Sequence, residues 1–108
     1  TDFGKSGYWK EALFDAISIL NLGIQYHQKK DFKQAQTYLL KSLEIQPDFM
    51  LAHERLGYLY YNIRKYSQSK YHFVQMLKVD PNKSKEAYYY LARSSFYIHE
   101  FDSAQYYF

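Results

Sequence analysis

Leu22-Gly23 is followed thirty-four residues later by Leu56-Gly57, and the same interval separates Tyr26 from Tyr60, Phe32 from Tyr66, Leu43 from Leu77 and Pro47 from Pro81. A fixed period of that length marks a solenoid, whose unit cannot bury its own apolar face and is stable only when stacked on a copy of itself. The period constrains the architecture. It carries no information about a ligand.

Within each period the apolar spacing is helical. Trp9, Leu13, Ile17, Leu20 and Ile24 follow at steps of three and four, which predicts one long helix from about Tyr8 to about Lys29. Asp31 reads as an N-cap with Gln34 in the capping-box position, opening a second helix that turns Ala35, Tyr38, Leu39, Ser42 and Leu43 inward. Proline disfavours helical geometry in the residue before it. Gln46-Pro47-Asp48 and Asp80-Pro81-Asn82 are therefore breaks, and Asp48 and Asn82 are expected to cap the helices that follow. A third helix is predicted over Phe49 to Ile63, a fourth over Ser67 to Val79 and a fifth over Ser84 to Ile98, with Phe101, Ala104 and Phe108 beginning a sixth. From Gly57 to Ala92 the period slips to thirty-five, and the turn after Pro81 is the simplest place for the extra residue.

These residues resemble the tetratricopeptide repeat, which places Trp, Leu, Gly and Tyr on a first helix, an aromatic at the turn, and Ala, an aromatic and Ala on a second helix before a closing Pro. The match runs through Leu22, Gly23, Tyr26, Phe32, Ala35, Leu39 and Pro47, then through Leu56, Gly57, Tyr60, Tyr66, Phe73 and Pro81. The resemblance implies an all-α, right-handed α-α superhelix of two full repeats and a partial third. Residues 1–15 would extend the first helix, residues 16–49 and 50–83 would be the full repeats, and residues 84–108 the partial one. Gly23, Gly57 and Ala92 fall where two helices cross, with the small residues Ala35, Ser69 and Ala104 at the facing positions. Ile19 and His53 stand where the family has tryptophan. Ser42 and Met76 replace its second small alanine, so inter-repeat packing is expected to loosen or shift at Met76.

Composition excludes several functions. The net charge is +3 with basic and acidic residues interleaved, and no basic run is longer than the two residues of Lys29-Lys30. Nucleic acid is therefore not an expected partner, although other helical repeats read single-stranded RNA. There is no cysteine, hence no thiolate site. His27, His53, His72 and His99 lie on different helices, none with a partner at metal-ligand spacing, and no phosphate-binding glycine loop or nucleophile elbow is present. No metal, cofactor or catalysis is expected. No stretch is long and apolar enough to insert in a membrane, and Thr1 to Ser6 do not resemble a signal peptide. With threonine rather than methionine first, the chain reads as an excised domain or processed product.

The family's usual function is to hold a peptide or protein segment in the concave groove lined by the first helices. Carried over position by position, the groove comprises Ile17, Leu20, Ile24 and His27, then Leu51, Glu54, Tyr58, Tyr61 and Asn62, then Glu86, Tyr89, Arg93, Phe96 and Tyr97. It is apolar at one end and aromatic at the other. The positions that clamp acidic chaperone tails in part of the family hold Leu20, Ile24, Arg55, Glu86 and Tyr90 here, so that clamp is not expected. A protein or peptide partner follows from this reading, with Tyr58, Tyr61, Tyr89 and Tyr97 as rigid amphipathic anchors. The alternative is a homo-oligomer, because the aromatic stretch Phe101 to Phe108 lacks the polar cap that ends a solenoid. Trp9, where the long first helix projects beyond the repeat, is expected to cap the other end, the alternative being that it docks on a neighbour.

Overall fold

The computed structural model describes the backbone of residues 2–82 and 85–98, with side chains from residue 14 onward. Five helices account for nearly all of it: α1 (Asp2–Gln28), α2 (Phe32–Ile45), α3 (Met50–Asn62), α4 (Tyr66–Val79) and α5 (Lys85–Tyr97). There is no strand among the described residues. The sixth helix expected from Phe101 and the side chain of Trp9 lie outside them. No helix of the described residues is long and apolar enough to cross a membrane.

The helix ends follow from local chemistry. The Asp31 carboxylate accepts from the Gln34 N–H at 3.3 Å, as its capping position predicts. Gln46 and Asp80, each before a proline, are extended with φ −132° and −146°, and the helices stop there. Asp48 does not cap, and the start of α5, where Asn82 is expected to, includes residues 83 and 84, which lie outside the described residues. Phe49 is the N-cap of α3 without a side-chain bond, Asp48 instead accepts from the Gln46 side chain, and the Asn82 N–H is taken by Asp80. α3 starts at Met50 after α2 ends at Ile45, and α5 at Lys85 after α4 ends at Val79.

α1 and α3 end in the same way, thirty-four residues apart. Lys30 and Arg64 adopt φ 63° and 64°. In each case the next N–H reaches back five residues, Asp31 to Tyr26 at 2.9 Å and Lys65 to Tyr60 at 2.8 Å. This left-handed C-terminal cap satisfies carbonyls that the helix leaves open, and it normally uses glycine.

Each helix packs on the next. α1 also touches α3 and α3 touches α5, whereas α2 and α4 do not meet. The first helices of the repeats therefore crowd one side of the array while the second helices splay, which curves the stack toward α1, α3 and α5. One core cluster draws Leu20 from α1, Ala35 and Leu39 from α2, and Ala52, Leu56, Leu59 and Tyr60 from α3. A second joins Phe73, Met76 and Leu77 of α4 to Ala87 and Leu91 of α5. Both cross a repeat boundary, the physical reason that a single unit would not be stable alone.

Close crossings are held by glycine and serine. A methyl group built on Gly57 would lie 2.7 Å from the Phe73 ring, and one on Gly23 would lie 2.8 Å from Leu39 Cγ. The nearest groups are therefore a large ring and a leucine, one turn along from the small residues expected to face them. Ser69 still touches its expected counterpart, donating to the Gly57 carbonyl at 2.8 Å, and Ser42 donates to the Ala16 carbonyl at 2.8 Å. Each helix pair thus has one buried serine clasp. Met76 is 1% exposed and belongs to the second core cluster.

Candidate functional site

Of the residues expected to line a groove on α1, α3 and α5, hydrogen bonds join His27 to Asn62, Tyr58 to Glu86, and Arg93 to Tyr61, Tyr89 and Tyr97. Leu20 lies apart from them. It is 3% exposed and belongs to the first core cluster, because its helical step points it between α2 and α3. Ile24 packs against the same cluster and is half-buried, leaving Ile17 as the exposed apolar residue of this set on α1. Leu51 on α3 is likewise exposed.

His27 and Asn62 join α1 to α3. The Asn62 amide donates to His27 Nε2 at 3.1 Å. Burial, and then the charge of Arg55, hold the imidazole below its usual value, which keeps that nitrogen an acceptor at neutral pH.

Toward α5 the site becomes a lattice of tyrosines. Tyr58 donates to Glu86 Oε2 at 2.7 Å, and its ring meets Phe73 and Tyr90 edge to face at centroid distances of 5.3 and 5.1 Å. Burial first, then the bond to Glu86 and the charge of Glu54, push the Tyr58 phenol well above its ordinary pKa. Tyr58 is thus a strut between repeats, not a loose anchor. Tyr61 meets Tyr66, Tyr90 and Tyr97 edge to face at 5.5, 4.9 and 6.3 Å, and Tyr66 stacks on Tyr97 at 4.7 Å. Tyr89, Phe96 and Tyr97 are exposed on α5.

Arg93 ties this lattice together. Its Nε donates to the Tyr61 hydroxyl at 2.6 Å, Nη1 to Tyr89 at 3.0 Å and Nη2 to Tyr97 at 3.2 Å. These bonds, that to Tyr61 above all, hold the guanidinium protonated beyond its already high pKa. Burial raises the Tyr61 phenol against the opposing pull of Arg93, so the phenol stays neutral beside the cation.

Two features of the molecule escaped the sequence reading. Tyr90 is the hub of the lattice, stacked on Phe73 at 5.7 Å and touching Tyr58, Tyr61 and Tyr89. The signal was its place three after Ala87 and four before Ser94, both buried. The second is a buried histidine pair, His53 Nδ1 to His72 Nδ1 at 3.1 Å, with His53 Nε2 on the Pro47 carbonyl at 2.9 Å. A carbonyl only accepts, so His53 carries its proton on Nε2, and His72 must donate from Nδ1. His53 stands at the family's tryptophan position, which is interior, so a partner for it was inferable even though the partner's identity was not. No group of three or more metal-ligating side chains occurs among the described residues.

Comparison with known proteins places the fold. Residues 16–49 match the family model of the tetratricopeptide repeat. Among solved structures, the second such domain of Spaghetti (RPAP3), bound to the HSP90 peptide SRMEEVD, is 14% identical with a TM-score of 0.83, the match covering 93% of this chain and 92% of that one. The C-terminal repeat-containing domain of the Plasmodium falciparum protein PFL2275c is 18% identical with a TM-score of 0.83, covering 91% and 75%. PilW, a type IV pilus biogenesis factor, is 22% identical with a TM-score of 0.77, covering 85% of this chain and 42% of its own. No curated protein matches the sequence.

Proposed function

We propose, for a chain that carries a tetratricopeptide repeat at residues 16–49 and folds through its described residues as such arrays do, that it is a non-catalytic scaffold binding a peptide or protein segment along α1, α3 and α5. The observation that carries the reading is the tyrosine lattice. Tyr89 and Tyr97 are 47% and 42% exposed, yet their hydroxyls are fixed by Arg93, and Tyr66 backs the Tyr97 ring. Rigid aromatic rings with a wet polar tip lose little entropy on binding and are the commonest anchors at interfaces. Exposed Ile17 and Leu51 extend the surface as an apolar end suited to aliphatic side chains. The RPAP3 domain, with the same fold, was solved with a peptide bound.

The test is selection of a displayed peptide library on the 108-residue chain, with enriched peptides titrated against Tyr89→Ala and Tyr97→Ala. These two are preferred to Tyr58 and Tyr61, which are less exposed. Each truncation is expected to weaken binding by about 2 kcal/mol, the size of an interface anchor, with the circular dichroism spectrum unchanged. Failure to enrich peptides, or equal binding by the variants, would overturn the reading.

A further inference from the structure

We infer that Arg93, with the hydroxyls of Tyr61, Tyr89 and Tyr97, forms a receptor for a single carboxylate group of the bound segment. The inference deepens the groove reading and rests on it for the peptide that carries the acid. The anion site itself stands on the geometry of Arg93.

A guanidinium has five N–H donors. Three are used, one from Nε and one from each terminal nitrogen, and all three end on phenol oxygens. One N–H therefore remains on Nη1 and one on Nη2, and a carboxylate has two oxygens to receive them, the arrangement that makes Arg the preferred carboxylate ligand. A phenol oxygen that accepts from Arg93 still owns its proton and must aim it at a different acceptor. The cluster consequently presents N–H and O–H donors together.

An exposed arginine on a helix ordinarily finds Glu or Asp three or four residues away. Around Arg93 those four positions are Tyr89, Tyr90, Phe96 and Tyr97, and the contact from α3 is again a tyrosine, Tyr61. No carboxylate among the described residues pairs with it. The charge is therefore held by neutral oxygens, which orient it without cancelling it. The surrounding rings fix those oxygens in advance, Tyr97 against Tyr66, Tyr61 between Tyr66 and Tyr90, and Tyr89 against Tyr90, so little ordering remains for a ligand to drive. A single guanidinium matches a single negative charge. Phosphorylated residues are read by clusters of arginines instead.

The carboxylate has two sources, a chain terminus or an acidic side chain, and small probes separate them. The 15N-labelled full chain is titrated with N-acetyl-leucine, N-acetyl-leucinamide, N-acetyl-aspartic acid amide and inorganic phosphate. The Arg93 Nε–H and the Tyr89 and Tyr97 ring signals are followed. Saturable shifts are expected with one or both acids and none with leucinamide, and whichever acid binds tighter identifies the source. Arg93→Lys, which keeps the charge but not the fork, should weaken acid binding about tenfold, the equivalent of one charge-assisted hydrogen bond. Tyr89→Phe and Tyr97→Phe, which keep the rings, should weaken it too. Equal shifts with acid and amide, no shift with either acid, or phosphate binding more tightly than the acids would overturn the inference. Peptides selected on the groove that bind equally well with their carboxylates amidated would overturn it while leaving the groove intact.

Discussion

Acidification should weaken this fold chiefly through one side chain, His72, whose pKa burial lowers further than that of His27. It is 6% exposed, stacked on Tyr60 at 5.5 Å, edge-on to Tyr71 at 5.0 Å, and bonded through Nδ1 to His53. Burial, then the neighbouring His53, lowers its pKa from 6.5 to about 4. A base whose folded pKa is depressed takes up its proton more readily when unfolded. The unfolded chain therefore gains a proton as pH falls through 6.5, and the folded chain does not until pH approaches about 4. Stability is whole above the unfolded value, declines across that window and levels off below it. At roughly 1.4 kcal/mol per pH unit the full difference is about 3 kcal/mol, a large share of the stability of a small domain.

The assay is urea unfolding followed by circular dichroism between about pH 7.5 and about pH 4.5, which covers most of the window over which His72 differs between the folded and unfolded chain. The comparison is His72→Asn, whose amide keeps a donor toward His53 but does not titrate. Carboxylates titrate alike in both proteins and cancel in the difference. The wild type should lose about 2 to 3 kcal/mol relative to the variant over that range. Parallel pH profiles would show that His72 is not held neutral by its surroundings and would refute the reasoning.

Gly57→Ala places a methyl group 2.7 Å from the Phe73 ring, which is fully buried. Overpacking should outweigh the better helix propensity of alanine and lower stability by about 1 to 2 kcal/mol, and an unchanged urea midpoint would contradict the crossing described. Lys30→Gly and Arg64→Gly act in the opposite direction. Each relieves a side chain at positive φ and should raise stability by about 1 kcal/mol, read as an increase in melting temperature.

The thirty-four-residue period, the breaks before Pro47 and Pro81, the Asp31 cap and the extent of α2 to α5 within a residue or two were legible in the order of residues alone, because helix periodicity and capping are short-range. Register, which propagates from one repeat to the next, put Tyr61, Tyr89, Arg93 and Tyr97 in one expected set, and the structure joins these four by hydrogen bonds. Three-dimensional packing decided the rest. Leu22 and Leu56 occupy the same position in the period, yet Leu56 is fully buried and Leu22 is 36% exposed, because α2 covers the face of α3 on which Leu56 lies and none of the described helices covers the corresponding face of α1. Leu20, assigned to the groove by register, is core for a related reason: a helical face is wide, and only the neighbouring helices determine which part of it they cover. The pairings of His53 with His72 and of Arg93 with Tyr61 span nineteen and thirty-two residues. No local propensity encodes such distances, and they arise only when the second repeat stacks against its neighbours.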